Sequence, residues 1–255
     1  MADTVLTERH DGVLVITLNR PEVRNAIDLE TAESIAGALD QLDGDDAMTV
    51  GVLTGAGKGF SAGMDLKAFA AGGARPWVAD RGLFGIAGRS ARKPLIAAVE
   101  GFALAGGFEI VLACDLIVAA RGALFGIPEV RRGLVAAGGG VLRLPRRIPY
   151  NVAMELALTG EPIEAERAAA LGLVNRVCEP GGALAAALEL AESVRAGGPL
   201  ALIASKQILD EQWDWQAQDR WERQAVIAEP VISSEDAREG ARAFAEKRDA
   251  VWSGR

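Results

Sequence analysis

Two hundred and fifty-five residues, half of them hydrophobic and 24% charged, suffice for a globular chain to bury its own core without disulfide or metal support. The 27 basic and 35 acidic residues leave a formal charge of −8, which argues against a nucleic-acid partner, since phosphate binding needs a basic face. A single histidine, His10, excludes multi-histidine metal sites, and no apolar run approaches the ~20 residues that cross a bilayer.

Along the chain, Val5 to Glu8 and Val13 to Leu18 (VLVITL) predict paired strands, closed by Asn19-Arg20-Pro21. Leu29, Ile35, Leu39 and Leu42 then recur at helical spacing behind an Asp28 cap. Val50 to Thr54 reads as a buried strand running into Gly55-Ala56-Gly57-Lys58-Gly59. Leu95 to Val99 predicts another buried strand, followed by an apolar helix over Ala105 to Ala113 and a strand over Leu116 to Ala119. Alternating strands and helices argue for an α/β fold rather than a sandwich. From Gly138 onward helix dominates: Val152 to Leu158, Ile163 to Leu171, Ala183 to Val194, Leu200 to Leu209, Gln216 to Ala228 and Ser234 to Lys247. Val174 to Val177 is a strand-like exception, and Ala70 to Arg75 is loose enough for a mobile loop.

Several local features have ordinary structural readings. Cys114 and Cys178 lie in apolar surroundings without CxxC spacing, as buried free thiols do. The start, Met-Ala-Asp-Thr, lacks a basic segment and an apolar signal core, so a cytoplasmic location is expected. Trp213, Trp215 and Trp221 suit packing or an interface. The cluster Arg131, Arg132, Arg143, Arg146 and Arg147 reads either as a solvated helix face or as a group meeting the phosphates of a small ligand. Gly59-Phe60-Ser61-Ala62-Gly63 matches the G-x-S-x-G nucleophile elbow, but that fold places its histidine after the serine, and His10 precedes Ser61. Lys58 is followed by Gly59 rather than Ser or Thr, so the glycine run is no phosphate loop either.

Glu109 and Glu129 are the informative acids. Both sit in apolar segments, where a carboxylate needs a partner or a purpose. If they face one site, mutual repulsion keeps a proton shared between them and supplies an acid and a base near neutral pH.

These residues resemble the crotonase superfamily, the enoyl-CoA hydratase/isomerase family. The resemblance runs from about Gly12 to Arg195 through NRPEVRNA at Asn19–Ala26, GKGFSAGMDLK at Gly57–Lys67, KPLIAAVEGFALAGGFE at Lys93–Glu109, FGIPEVRRGL at Phe125–Leu134 and GGGVLRLPRRI at Gly138–Ile148. It implies an α/β spiral of ββα units over 1–195 and a helical C-terminal region over 196–255 that assembles trimers, commonly paired into hexamers. It implies that the backbone N–H groups of Met64 and Gly106 form an oxyanion hole for an acyl-CoA thioester. Coenzyme A would lie along Val23, Arg24, Ala62, Asp65, Leu66 and Lys67, and the acyl group along 70–88 and the C-terminal helices. No metal or separate cofactor is implied, since coenzyme A belongs to the substrate.

The family's hydratases carry two glutamates twenty positions apart, matched here by Glu109 and Glu129, which favours reversible hydration of trans-2-enoyl-CoA in fatty acid β-oxidation or related acyl-CoA catabolism. Isomerisation, a carnitinyl-CoA-type dehydration and non-catalytic acyl-CoA binding are the alternatives. Two departures stand out: Ala105 replaces the first glycine of the usual G-G-G run, and Leu134 to Gly138 lacks a proline and a glycine often found there.

Overall fold

The computed structural model describes residues 3–255; Met1 and Ala2, part of the N-terminal reading above, lie outside it. In chain order the elements are β1 (Val5–His10), β2 (Val13–Leu18), α1 (Leu29–Gly44), β3 (Val50–Gly55), α2 (Leu66–Ala70), β4 (Trp77–Val78), β5 (Gly82–Leu83), β6 (Leu95–Val99), β7 (Phe102–Leu104), α3 (Gly106–Leu112), β8 (Leu116–Ala120) and β9 (Leu124–Gly126). A 3-10 turn over Pro128–Arg132 leads to α4 (Gly140–Arg147), α5 (Tyr150–Thr159), β10 (Ile163–Glu164), α6 (Ala165–Ala170) and β11 (Arg176–Cys178). Four helices complete the chain: α7 (Ala183–Arg195), α8 (Pro199–Glu211), α9 (Arg220–Ile232) and α10 (Glu235–Glu246).

Six strands form the main sheet in the order β1-β2-β3-β6-β8-β11, parallel except for the β1–β2 hairpin. Both faces are covered, so β3 and β6 are apolar almost throughout instead of alternating. Leu14, Ile16 and Leu53 face the larger core shared with α1 and α3. Val13, Val15, Val50 and Val52 face α7, whose Ala183, Ala187 and Ala191 recur every four residues and let that helix lie close. The predicted Asp28 cap is real: its carboxylate accepts from the Thr31 N–H at 2.9 Å.

A second, three-stranded sheet, β10-β9-β7, stands beside the first. None of its strands exceeds three residues. Here the sequence reading needs correction, because Ile163 to Leu171 is not one helix. Ile163–Glu164 pairs with Phe125 and Leu124 before α6 begins. The reading also omitted α4, whose Pro145 and high charge disguise it, and it began α9 four residues early.

A short ion pair ties the helical tail to the spiral. Lys206 on α8 donates to Asp115 Oδ2 at 2.7 Å and to the Lys93 carbonyl at 3.0 Å, and the Leu95 N–H also donates to Asp115 Oδ2. Lys206→Met strands a largely buried carboxylate and is expected to cost about 2 kcal/mol in urea unfolding. Adding Asp115→Asn to it should restore part of that loss. Among the described residues, no helix is long and apolar enough to cross a membrane.

Candidate active site

The site is assembled by a polar rivet between two loops. Asn25 is buried and held at φ +52°, a left-handed conformation that asparagine tolerates better than most residues. Its side chain donates to the carbonyls of Ala56 and Gly59, both at 2.9 Å, and its carbonyl accepts from Ser61 Oγ at 2.7 Å. Ser61 Oγ in turn accepts from the Gly63 N–H at 3.1 Å, and Ile27 N–H donates to the Gly63 carbonyl. NRPEVRNA and GFSAGMD are thereby locked together, with the Gly63–Met64 turn against the start of α3. Ser61 is a fully buried fastener, and His10 lies in β1 beside Glu8, so these two do not form a nucleophile pair.

That clamp presents two backbone donors. Among the described residues, neither the Met64 nor the Gly106 N–H has a hydrogen-bond acceptor. Gly63 approaches so closely that a methyl on it would stand 2.7 Å from the Gly106 nitrogen. Gly106 is the first residue of α3, whose dipole adds positive potential at that end. Met64 and Gly106 both line a cavity of about 490 Å³.

Glu109, one turn into α3, and Glu129, in the 3-10 turn after Pro128, line the same cavity. Glu109 Oε1 accepts from the Gly140 N–H at 2.8 Å, across a loop whose Gly138 has no room for a side chain: a methyl there would stand 2.8 Å from Glu109 Oε2. Burial pushes the Glu109 carboxyl up from its ordinary 4.5 to about 7; Glu129 adds repulsion, while the Gly140 and Gly138 amides and Arg143 oppose the rise. Burial also raises Glu129, against its own backbone N–H and Arg132. Glu129 Oε2 is buried and has no hydrogen-bond partner among the described residues.

Comparison with known proteins gives this arrangement its context. The enoyl-CoA hydratase/isomerase family profile matches residues 8–255. The chain belongs to that family. It is similar to a solved enoyl-CoA hydratase from Mycobacterium marinum, with 56% identity, a TM-score of 0.97, and 99% of this chain and 100% of that one covered. A carnitinyl-CoA hydratase from Mycobacterium avium superposes with a TM-score of 0.80 at 40% identity, with both chains fully covered. A carnitinyl-CoA dehydratase from Salmonella heidelberg is 42% identical over 264 residues, again covering both chains fully. The expected α/β crotonase fold is therefore the fold of this chain.

Of the ten residues singled out by resemblance, seven line the cavity: Arg24, Ala62, Met64, Leu66, Gly106, Glu109 and Glu129. Val23, Asp65 and Lys67 do not. Asp65 is committed elsewhere, capping α2 through the Ala68 N–H at 3.0 Å and pairing with Arg20 at 3.2 Å. The arginine cluster divides: Arg132 reaches the cavity, whereas Arg143, Arg146 and Arg147 line a separate, mixed-charge cleft of about 810 Å³. The wall includes Arg75, Leu83 and Phe84, within the 70–88 segment expected to contact the acyl group. Among the described residues of the single chain, none of the cavity lining comes from the C-terminal helices.

The raised Glu109 carboxyl links the site to stability. The folded chain binds that proton more tightly than the unfolded chain does. Its contribution is therefore complete below pH 4.5 and is lost as pH rises to about 7, by about 3 kcal/mol in all. Glu109→Gln removes this titration. Its melting temperature relative to wild type should rise between pH 5 and pH 8, as thermal scans at the two values would show.

Proposed function

We propose that this chain is an enoyl-CoA hydratase, adding water reversibly and syn across a trans-2-enoyl-CoA to give a 3-hydroxyacyl-CoA. The observation that carries the reading is the convergence of Glu109 and Glu129 on one cavity beside two unpaired backbone donors. In this mechanism the Met64 and Gly106 N–H groups polarise the thioester carbonyl and stabilise the enolate formed as oxygen adds at C3. Glu109 and Glu129 hold the water between them. Glu109 takes its proton, and Glu129 supplies the proton that reaches C2. Arg24, at the cavity mouth and exposed, is placed to meet a coenzyme A phosphate.

Loss of enoyl-thioester absorbance with crotonyl-CoA, with 3-hydroxybutyryl-CoA as product, tests the reading. Absence of turnover with short and long enoyl-CoA alike would refute it. The carnitinyl-CoA enzymes among the relatives favour a second reading, dehydration of a 3-hydroxyacyl thioester bearing a quaternary ammonium, which needs the same two acids. Comparing carnitinyl-CoA with 3-hydroxybutyryl-CoA in the dehydration direction separates the two.

Residues 196–255 are proposed to assemble three copies, singly or as paired trimers. In support, α9 buries none of its residues, and Trp221 and Phe244 are 79% and 88% exposed in the single chain. Sedimentation velocity should give three or six times the 26.7 kDa chain mass, and Trp221→Glu should shift the protein toward monomer.

A further inference from the structure

Phe84, directly after β5, has a φ of +61°, a left-handed conformation that a bulky aromatic residue adopts rarely and at a cost. Its surroundings impose it. The Phe84 N–H donates to the Pro76 carbonyl at 2.7 Å, and the chain on either side turns at Gly82 and Gly85, both with positive φ. Gly85 packs so tightly on α1 that a methyl there would lie 2.0 Å from the Ala32 carbonyl oxygen. The side chain that results is 3% exposed and forms part of the cavity wall.

The ring touches both halves of the site. A methyl on Gly106 would meet Phe84 Cζ at 2.3 Å, so the ring lies directly against the glycine that lines the cavity with an unpaired N–H. A methyl on Gly138 would stand 2.8 Å from Phe84 Cε2 and 2.8 Å from Glu109 Oε2. Ring edge and carboxylate oxygen are therefore within twice that distance of one another. The polar and charged groups that face Glu109 are the Gly138 and Gly140 amides, Glu129 in the same cavity, and Arg143 from α4, with Arg132 beside Glu129. Phe84 sets a large aromatic ring among these groups, against the same Gly138 that Glu109 Oε2 meets.

We propose that Phe84 is a positioning residue, clamped in a strained backbone so that its ring keeps water off Glu109 and holds the acyl carbons in line while the thioester oxygen meets the Gly106 N–H. The inference rests on the hydratase reading for its second half and on geometry alone for its first. A dry carboxylate binds its proton more tightly, in line with the direction of the Glu109 shift. A fixed wall beside the reacting carbons raises the fraction of bound substrate aligned for attack. The strained φ, held by the Pro76 carbonyl and the turns at Gly82 and Gly85, fixes the direction in which the side chain leaves the backbone.

The test uses the full-length protein with Phe84→Gly and Phe84→Leu. Glycine suits the left-handed backbone, so loss of the ring is read without added strain. Glu109 protonation is followed without substrate by the infrared carboxylic-acid band that disappears in Glu109→Gln. In Phe84→Gly its proton affinity should fall about tenfold or more, with Phe84→Leu intermediate. With crotonyl-CoA, kcat should fall about tenfold or more while KM changes less, and the acid limb of kcat/KM should move to lower pH with the infrared midpoint. An unmoved midpoint and pH profile, with only the melting temperature lowered, would overturn the proposal and leave Phe84 a packing residue. Should the wild type hydrate no enoyl-CoA, the hydratase reading falls, while the infrared midpoint still decides whether Phe84 dries Glu109.

Discussion

Glu129→Gln is expected to lower kcat for crotonyl-CoA hydration by about 10²–10⁴-fold while leaving binding of a saturated acyl-CoA nearly unchanged. Glutamine fills the same space in the 3-10 turn but cannot exchange a proton with C2. The carboxylate it replaces is buried with Oε2 unpartnered, so little in the fold depends on the charge. Glu109→Gln should cost a similar factor for a different reason, because an amide cannot take the proton from water. The pH dependence carries the sign. As a base Glu109 must be ionised, so the acid limb of kcat/KM should rise with pH to about 7 in the wild type, a limb that Glu109→Gln loses. Near-native turnover in both glutamine variants would remove these acids from the mechanism.

Much of the framework is legible in the residues because burial leaves a simple mark. Strand β3 and strand β6 are uninterrupted apolar runs since helices cover both faces, and α1 shows its buried stripe at Ile35, Leu39 and Leu42 behind a side-chain cap. The second sheet leaves no such mark. Its strands have two or three residues each, and Ile163–Glu164 is extended only because Phe125 and Leu124 pair with it. Glu109 and Glu129 could be singled out individually, as acids in apolar segments. Their convergence depends on β8 and β9 returning the chain past α3, which no local pattern encodes.

Other parts of the site were hidden for the same reason. Asn25 looks like a turn residue, and its fastening of two loops appears only once Ala56, Gly59 and Ser61 surround it. Phe84 resembles any core aromatic until its backbone conformation is known. A clue was present in the glycines on either side of Leu83–Phe84, which mark a chain that must turn left-handed. Asp65, matched by position, turns its side chain to capping α2 and to pairing with Arg20. The alanine at 105 is likewise an unexpected choice, since its φ of +51° and ψ of −129° suit glycine.

Gly106→Ala should reduce kcat by about 10²-fold or more, the scale of losing one oxyanion donor. The added methyl would stand 2.3 Å from Phe84 Cζ, so either the ring or the first turn of α3 must give way. Phe84 is held by its own backbone geometry, and a donor useful at about 2.7–3.1 Å from the developing oxyanion tolerates little displacement. The collision is with a side chain, which makes the loss conditional. In a Phe84→Gly background, already slowed by loss of the ring, adding Gly106→Ala should cost no more than about threefold, a strong coupling in a double-mutant cycle on kcat. Gly107 provides the contrast. A methyl there meets the Ser61 carbonyl oxygen at 2.3 Å, which is backbone of the loop carrying Met64. No side-chain deletion makes that space, so Gly107→Ala should lower the melting temperature as well as activity in every background. Additive losses for Gly106 and Phe84 would mean that α3, not the ring, absorbs the methyl, and that the donor is displaced whatever stands above it.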